Sequence, residues 1–191
     1  MSNAAMPLDA WSNFYVIVGG AAGGLTGLTF VVIALVADAH RVALSGLRAF
    51  ISPTVVHFCS VLGVAALLNV PGQTPSSLEW CLAGGAAAGL AYSVGTTLQL
   101  HRNRPMYVPV ISDWIWNALL PTLAYLLLLV SGAVLRAHVS AALYATAAVS
   151  LLLLLIGIHN AWDIAVWFTA ERPAAQSEAA KSPAPVEPPS P

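Results

Sequence analysis

The residues best spaced for chemistry in this chain are His159 and Asp163, which belong to the run HNAWD near the end of its last apolar block. Residues at positions i and i+4 share one face of a helix, and Asn160 lies one step round from them. A histidine beside a carboxylate can form a structural ion pair or pass protons, because histidine titrates near neutral pH. The motif therefore predicts a polar site at one end of a helix.

Other polar side chains are expected at about the same depth of a membrane. His57 should lie about 12 Å from the membrane end of its helix, and Asn117 one turn beyond Asp113. If the helices form a compact bundle, these side chains meet near one membrane surface. The predicted polar cluster consists of His57, Asp113, Asn117, His159, Asn160 and Asp163.

Several interpretations of this cluster remain open. The side chains can bond the helices to one another, which favours a non-enzymatic packing, regulatory or assembly component. They can instead surround the path of a transported solute or proton, or His57 and His159 can hold a b-type haem. The residue types also suit a metal, but no metal-binding spacing is present, so no metal and no catalytic residue is assigned. The first interpretation is preferred, because polar groups near a membrane surface need no function to explain them.

Membrane helices must position these residues, as the composition shows. Of the 191 residues, 58% are apolar and 8% are charged, whereas a soluble domain has about 25% charged residues. A hydrocarbon core about 30 Å thick needs roughly 20 apolar residues of helix, and the charged positions separate five blocks of that length. We therefore predict an all-α bundle of five transmembrane helices, with spans over about 11–37, 50–70, 79–100, 113–135 and 139–168.

The distribution of Lys and Arg predicts how the five spans are oriented. Short loops rich in these residues stay in the cytoplasm. Six of the seven lie on one side of the spans, and only Arg136 lies on the other. We expect a multi-pass protein of a bacterial inner membrane, with the N-terminal segment 1–9 outside and the C-terminus in the cytoplasm. Tyr15 and Trp80 are among the aromatic residues expected at the membrane interface.

Glycines in the first and third spans predict close helix packing. Gly19, Gly23 and Gly27 recur at every fourth residue, and Gly85 and Gly89 repeat this spacing. Helices associate in lipid through close backbone approach at such small residues. The partner is either another helix of the same chain, which is the preferred interpretation, or a second copy in a homo-oligomer.

The remaining features exclude some partners and predict no further folded domain. Residues 171–191 are rich in Pro, Ala, Ser and Glu, so this tail is predicted to be disordered. A formal charge of −1 leaves no basic surface for nucleic acid, and the lipid bilayer is the expected surrounding. Cys59 and Cys81 should lie at different depths, so we expect two unpaired, small, buried residues.

Three segments carry a resemblance that extends over all five spans: WSNFYVIVGGAAGGLTGL, SPTVVHF and GIHNAWDIAVW. Together they resemble a family of small bacterial multi-span inner-membrane proteins whose activity is uncharacterised. The resemblance implies a multi-span fold and a bacterial inner membrane. It implies no activity and no catalytic residue.

Overall fold

The computed structural model describes residues 8–39, 44–102 and 111–166, and these are helical apart from short turns. Residues 8–39 and 44–102 form a 3-10 turn, Leu8–Trp11, and three helices: α1, Ser12–Ala39, α2, Leu44–Leu68, and α3, Pro75–Arg102. Residues 111–166 form α4, Ile111–Trp114, a π-helical segment, Ile115–Leu119, α5, Leu120–Val134, and α6, Val139–Val166. The all-helical prediction is confirmed for these residues. Most of the predicted N-terminal segment and the whole predicted tail lie outside them.

Four of the helical stretches are long and apolar enough to cross a membrane: Leu8–Ala34, Pro75–Gln99, Ile115–Val134 and Val139–Val166. The corresponding stretch of α2, Ser52–Leu68, is shorter. Large apolar side chains cover the outside of the bundle, for example Ile17, which is 71% exposed. So extensive an apolar exterior is rare on a protein surrounded by water. The chain therefore has the surface of a multi-pass membrane protein.

The core of the bundle consists of α2, α3, α6 and the continuous rod formed by α4, the π-helical segment and α5. The remaining helix, α1, lies against the outside of this core. In the core, α2 packs closely on α6, α6 on α5, and α5 on α3, whereas α2 and α3 touch only sparsely. The fifth rod, α1, packs mainly along α2. At its start, Trp11 makes an edge contact with Tyr144 of α6, with ring centroids 4.8 Å apart. The sparse contact between α2 and α3 leaves a gap in the wall of the bundle.

Small residues set the distance between neighbouring helices at three places. A Cβ added to Gly19 would lie 2.7 Å from the Cβ of Ala65, so α1 and α2 approach to near backbone contact. The ring of Tyr125 lies over Gly89, where an added Cβ would overlap it. The ring of Phe58 covers Gly157 of α6 in the same way. The first of these contacts joins the outer helix α1 to α2, the second joins α3 to α5, and the third joins α2 to α6.

The other predicted packing glycines have less contact within the chain. An added Cβ at Gly23 would lie 3.9 Å from Cδ1 of Leu62, which is ordinary van der Waals distance. At Gly27 and Gly85 an added Cβ would meet no atom within 4 Å. Gly27 faces the outside of α1, and Gly85 faces the gap between α2 and α3.

The turn between α2 and α3 is built by local interactions. Gly72 has φ +72°, a conformation that side chains other than glycine rarely adopt. Thr74 and Ser77 form a reciprocal cap, because each backbone N–H donates to the other's side-chain oxygen at 3.1 Å. With this cap and a proline at the first helical position, α3 begins at Pro75 and not near 79 as predicted.

Contacts at this end of the bundle hold neighbouring helices in register. The Ser12 hydroxyl at the start of α1 donates to Asn69 Oδ1 at 3.1 Å, just after the end of α2. Glu79 near the start of α3 forms an ion pair with Arg136, which lies between α5 and α6. These contacts hold α1 to the end of α2, and α3 to the turn between α5 and α6.

The prediction that both cysteines are buried is wrong. Cys59 and Cys81 are exposed, although their thiols are free as expected. The reason is rotational position, because each cysteine lies on an exposed side of its helix, and Cys81 lies at the gap between α2 and α3. Tyr15, expected at the membrane interface, lies in the first turn of α1 and is 1% exposed, packed against Trp11 and Phe14.

Candidate functional site

The polar centre of the bundle is His57 on α2, which is only 1% exposed. Its Nδ1 atom lies 3.0 Å from the Tyr125 hydroxyl of α5. That hydroxyl lies 2.9 Å from Ser60 Oγ, and Ser60 Oγ donates to the backbone carbonyl of Val56 at 2.8 Å. These three side chains, His57, Tyr125 and Ser60, form a network that connects two helices of the core.

Counting hydrogens assigns a direction to this network. Each hydroxyl carries a single hydrogen, and Ser60 uses its hydrogen on the Val56 carbonyl. Tyr125 must then donate to Ser60, so the hydrogen shared with His57 has to come from Nδ1 of the imidazole. Only this direction, from His57 through Tyr125 and Ser60 to the carbonyl, places one hydrogen in every contact. Each of the three contacts therefore has one donor and one acceptor.

The network lies near the middle of α2, which runs from Leu44 to Leu68. Measured along α2 at 1.5 Å per residue, His57 is about 18 Å and Ser60 about 14 Å from Asn69, which follows the end of the helix. The hydroxyls of Ser60 and Tyr125 are therefore far from the end of the bundle where α2 stops.

A second polar group lies at the other end of the bundle, close to the last residues of α6. The His159 ring stacks on Trp116 with centroids 3.8 Å apart, and its Nε2 atom lies 3.2 Å from Asp163 Oδ2. The neighbouring Asn160 is 5% exposed, and its Nδ2 atom has no hydrogen-bond partner among the described residues. This group joins α6 to the π-helical segment.

The π-helical segment results from the proline that follows it. The N–H of Leu120 donates to the carbonyl of Ile115, five residues back. Pro121 has no N–H, and its ring would clash with the carbonyl four residues earlier in a regular α-helix. The wider turn relieves that conflict, and such turns often occur at functional sites. It also contains Trp116, whose ring stacks on His159.

The structure separates most of the predicted polar cluster into two groups. His57 contacts Tyr125, which lies about 12 Å further along its rod than Asn117. His159, Asn160 and Asp163 stay together near the end of α6, with Asn117 half-buried in the π-helical segment. The backbone of Asp113 belongs to α4, but its side chain lies outside the described part of the chain.

The alternative sites suggested by the residue types are not assembled. His57 and His159 make different contacts, one with Tyr125 and the other with Trp116 and Asp163, so the pair does not face a common haem slot. Among the described residues, no group of three or more His, Cys, Asp or Glu side chains is placed to hold a metal ion.

The sequence interpretation missed Tyr125 and Ser60. Ser60 is three residues after His57 and so lies on the same helix face, a signal that was available. Tyr125 stands in the apolar run LAYLLLLV, where nothing marks it as different from an interfacial or core aromatic. Its role depends on the packing of α5 across the bundle from α2.

Further hydroxyl pairs connect α5 to its neighbours in the bundle. Ser93 Oγ of α3 lies 2.8 Å from Thr122 Oγ1. Ser131 Oγ donates to the carbonyl of Ala142 in α6 at 2.6 Å and lies 2.7 Å from Thr146 Oγ1. Together with the His57 network, these bonds connect α5 to α2, α3 and α6. Such bonds between membrane helices each contribute about 0.6 kcal/mol on average.

A cleft opens through the gap between α2 and α3 and ends at the network. Its volume is about 300 Å³, at the lower limit of pockets that hold small molecules. Gly63, Cys81 and Gly85 form its exposed rim. Ser60 and Tyr125 also line the cleft, and apolar side chains such as Leu128 cover the rest. The cleft is therefore an apolar space, open between α2 and α3, with two hydroxyl groups in its wall.

Comparisons with protein-family models, with curated proteins and with solved structures found no match for this chain. The resemblance inferred from the three sequence segments remains a prediction.

Proposed function

We propose that this chain is a non-enzymatic assembly component of a bacterial inner membrane, in which it crosses the bilayer five times and associates with further copies of itself. The observation that carries the proposal is a pair of small-residue faces on α1 and α3 that point away from the bundle. The resemblance to small bacterial multi-span proteins supports the choice of membrane.

The first of these faces lies on α1, opposite its contact with α2. Gly20, Gly24 and Gly27 are exposed, and an added Cβ at any of them would meet no atom within 4 Å. The glycines that face α2, by contrast, include Gly19, which is buried against Ala65. The outer helix thus carries two glycine faces, and only one of them is used within the chain.

The second face runs along α3 for more than two turns. Gly84, Ala88 and Ala91 are exposed, and Gly95 is half-buried. Their spacing of four, three and four residues places them on one side of the helix. Added Cβ atoms at Gly84 and Gly95 would meet no atom within 4 Å. This side of α3 points away from the helices that it contacts in the bundle.

The physical argument for association is that lipid, and not water, surrounds the outer helix faces. Lipid tails cover large apolar side chains well, so exposed leucines and valines need no protein partner. Small residues instead allow two backbones to approach closely, which gains packing energy that lipid does not supply. A second copy has the same faces and can therefore provide matching ones. The internal hydroxyl bonds of α5 would keep each bundle rigid during association.

Substitution on the outer face of α1 tests this proposal. We expect Gly20→Leu to weaken self-association in liposomes at least tenfold, because the side chain separates the two backbones by several ångströms. Stoichiometry can be measured by single-molecule photobleaching of labelled protein over a range of protein-to-lipid ratios. Ala21→Leu is the matched control, because Ala21 is also exposed on α1 but lies about 100° round the helix from Gly20. A monomeric wild type, or equal effects of both substitutions, would contradict the proposal.

The five-span topology is proposed from the helix lengths together with the charges. Although its apolar stretch is short, α2 has 25 residues and is about 37 Å long, enough to cross the hydrocarbon core. With five crossings, the segments that contain six of the seven Lys and Arg residues share one side. The proposed orientation places the N-terminus outside and the C-terminus in the cytoplasm.

Reporter fusions test this orientation. A cytoplasm-active reporter fused after Pro191 should give a signal, and a periplasm-active reporter at the same position should not. The same pair of reporters fused after Gln73 should give the opposite result, because that residue lies in the turn between α2 and α3. A periplasm-active fusion after Pro191 would require an even number of spans or the inverted topology.

A further inference from the structure

The polar wall of the cleft has a definite hydrogen-bonding character. Both hydroxyl hydrogens of the His57 network already take part in hydrogen bonds. Tyr125 donates its hydrogen to Ser60, and Ser60 donates its hydrogen to the Val56 carbonyl. A hydroxyl oxygen has two lone pairs, and Ser60 Oγ uses one of them to accept from Tyr125. The cleft therefore offers a hydrogen-bond acceptor to a molecule that enters it, and no free hydroxyl donor.

Depth restricts the class of molecule that can use this acceptor. In the proposed five-span topology, Ser60 lies about 14 Å from Asn69, just beyond the end of α2, and so near the middle of the hydrocarbon core. Phospholipid headgroups remain at the membrane surfaces, and a charged group at this depth would be costly. The donor must belong to an uncharged molecule that dissolves in the interior of the bilayer.

The shape of the cleft sets the approximate size of that molecule. A volume of about 300 Å³ corresponds to roughly ten water-sized groups. The space exists because the rim positions Gly63 and Gly85 lack side chains, and an added Cβ at either would meet no protein atom within 4 Å. A chain of about ten heavy atoms can therefore enter sideways from the lipid between α2 and α3.

We infer that the cleft is a binding site for a neutral lipophile that carries a hydroxyl group, which donates to Ser60 Oγ while the apolar chain fills the space between α2 and α3. Alcohols and hydroquinones belong to this class. This site is separate from the outer faces of α1 and α3 that are proposed to bind further copies of the chain.

Photolabelling of the purified full-length chain in lipid nanodiscs tests the inference. The probes are a ten-carbon alcohol that carries a diazirine and its methyl ether, which has the same chain but no hydroxyl hydrogen. We expect the alcohol to label the segments around Gly63 and Gly85 about fivefold more than the ether does at equal concentration, the effect of one net hydrogen bond. Mass spectrometry of digested protein gives the position and the extent of labelling.

Variants of α2 distinguish this site from general coverage by lipid. Gly63→Leu should fill the cleft and reduce labelling by both probes, whereas Ala66→Leu should leave it unchanged, because Ala66 is exposed on the same helix but does not line the cleft. Ser60→Ala should bring labelling by the alcohol down to that by the ether.

Two results would overturn the inference without requiring any variant to fold. They are equal labelling of the wild-type cleft by alcohol and ether, and labelling by the alcohol that is spread evenly over the lipid-facing helices. Normal self-association combined with either result would reject the ligand site alone. Normal alcohol preference in a monomeric wild type would reject the assembly proposal alone.

Discussion

Replacing Gly157 with leucine is expected to destabilise the folded bundle by about 3 kcal/mol, at the upper end of the usual cost of overpacking a core. Even a Cβ at this position would overlap the ring of Phe58, which is fully buried between α2 and α6. The ring cannot turn away without displacing other core side chains, so the two helices must separate. Unfolding in mixed micelles, titrated with sodium dodecyl sulfate and followed by circular dichroism, measures the change.

A leucine on the lipid side of the same helix provides the control. Ala148→Leu adds comparable bulk to α6 at an exposed position, and we expect it to change stability by less than about 0.5 kcal/mol, as surface substitutions usually do. If Gly157→Leu unfolds at the same detergent concentration as the wild type, the close contact of α2 with α6 is incorrect.

Replacing Tyr125 with phenylalanine should cost about 2 kcal/mol, because it removes the hydroxyl at the centre of the network, which contacts the buried His57 and the half-buried Ser60. Nδ1 of His57 loses its acceptor, and Ser60 Oγ loses its donor. The ring that covers Gly89 is retained, so the change reports the hydrogen bonds and not the packing. The same detergent titration applies, with Tyr144→Phe as the control, since Tyr144 is 69% exposed.

A double substitution tests whether these polar groups act together. Removing both partners of a buried hydrogen bond costs less than the sum of the two single removals. The combined Tyr125→Phe and His57→Leu variant should therefore be more stable than additivity predicts, by at least about 1 kcal/mol. Strict additivity would show that His57 and Tyr125 do not interact, whatever the size of either single effect.

The sequence was most informative about elements that depend on composition along the chain. Long apolar blocks predict helices because the interior of a membrane provides no partners for backbone N–H and carbonyl groups. The predicted block over 113–135 corresponds to the rod from Ile111 to Val134. Its π-helical turn was not predicted, because Pro121 conflicts with a regular helix in a way that hydropathy does not register.

Contacts between helices were harder to predict, and glycine shows why. The spacing of Gly19, Gly23 and Gly27 indicates a packing face, but α1 carries glycines on both sides. Which side meets α2 depends on the rotation of the whole helix, a tertiary property. Gly157 belongs to no repeat, yet it lies beneath a buried ring.

The polar cluster illustrates the same division. Spacing along a helix gives the face, so His159 and Asp163 were correctly expected to share one, and they lie within contact distance. His57 was grouped with them because α2 was expected to begin near residue 50, whereas it begins at Leu44, about 20 Å from His57 along the helix. In the structure its imidazole faces Tyr125, a residue with no distinguishing sequence context.

By itself, the sequence determined that the chain forms apolar helices and where they begin and end to within about six residues, because these properties follow from local composition and local hydrogen bonding. Only the tertiary structure decided which helix faces meet, which hydroxyls pair with His57, and where the cleft between α2 and α3 remains open. The physical reason is that lipid contributes no hydrophobic force between helices, so their arrangement depends on the detailed fit of side chains that are distant in the sequence.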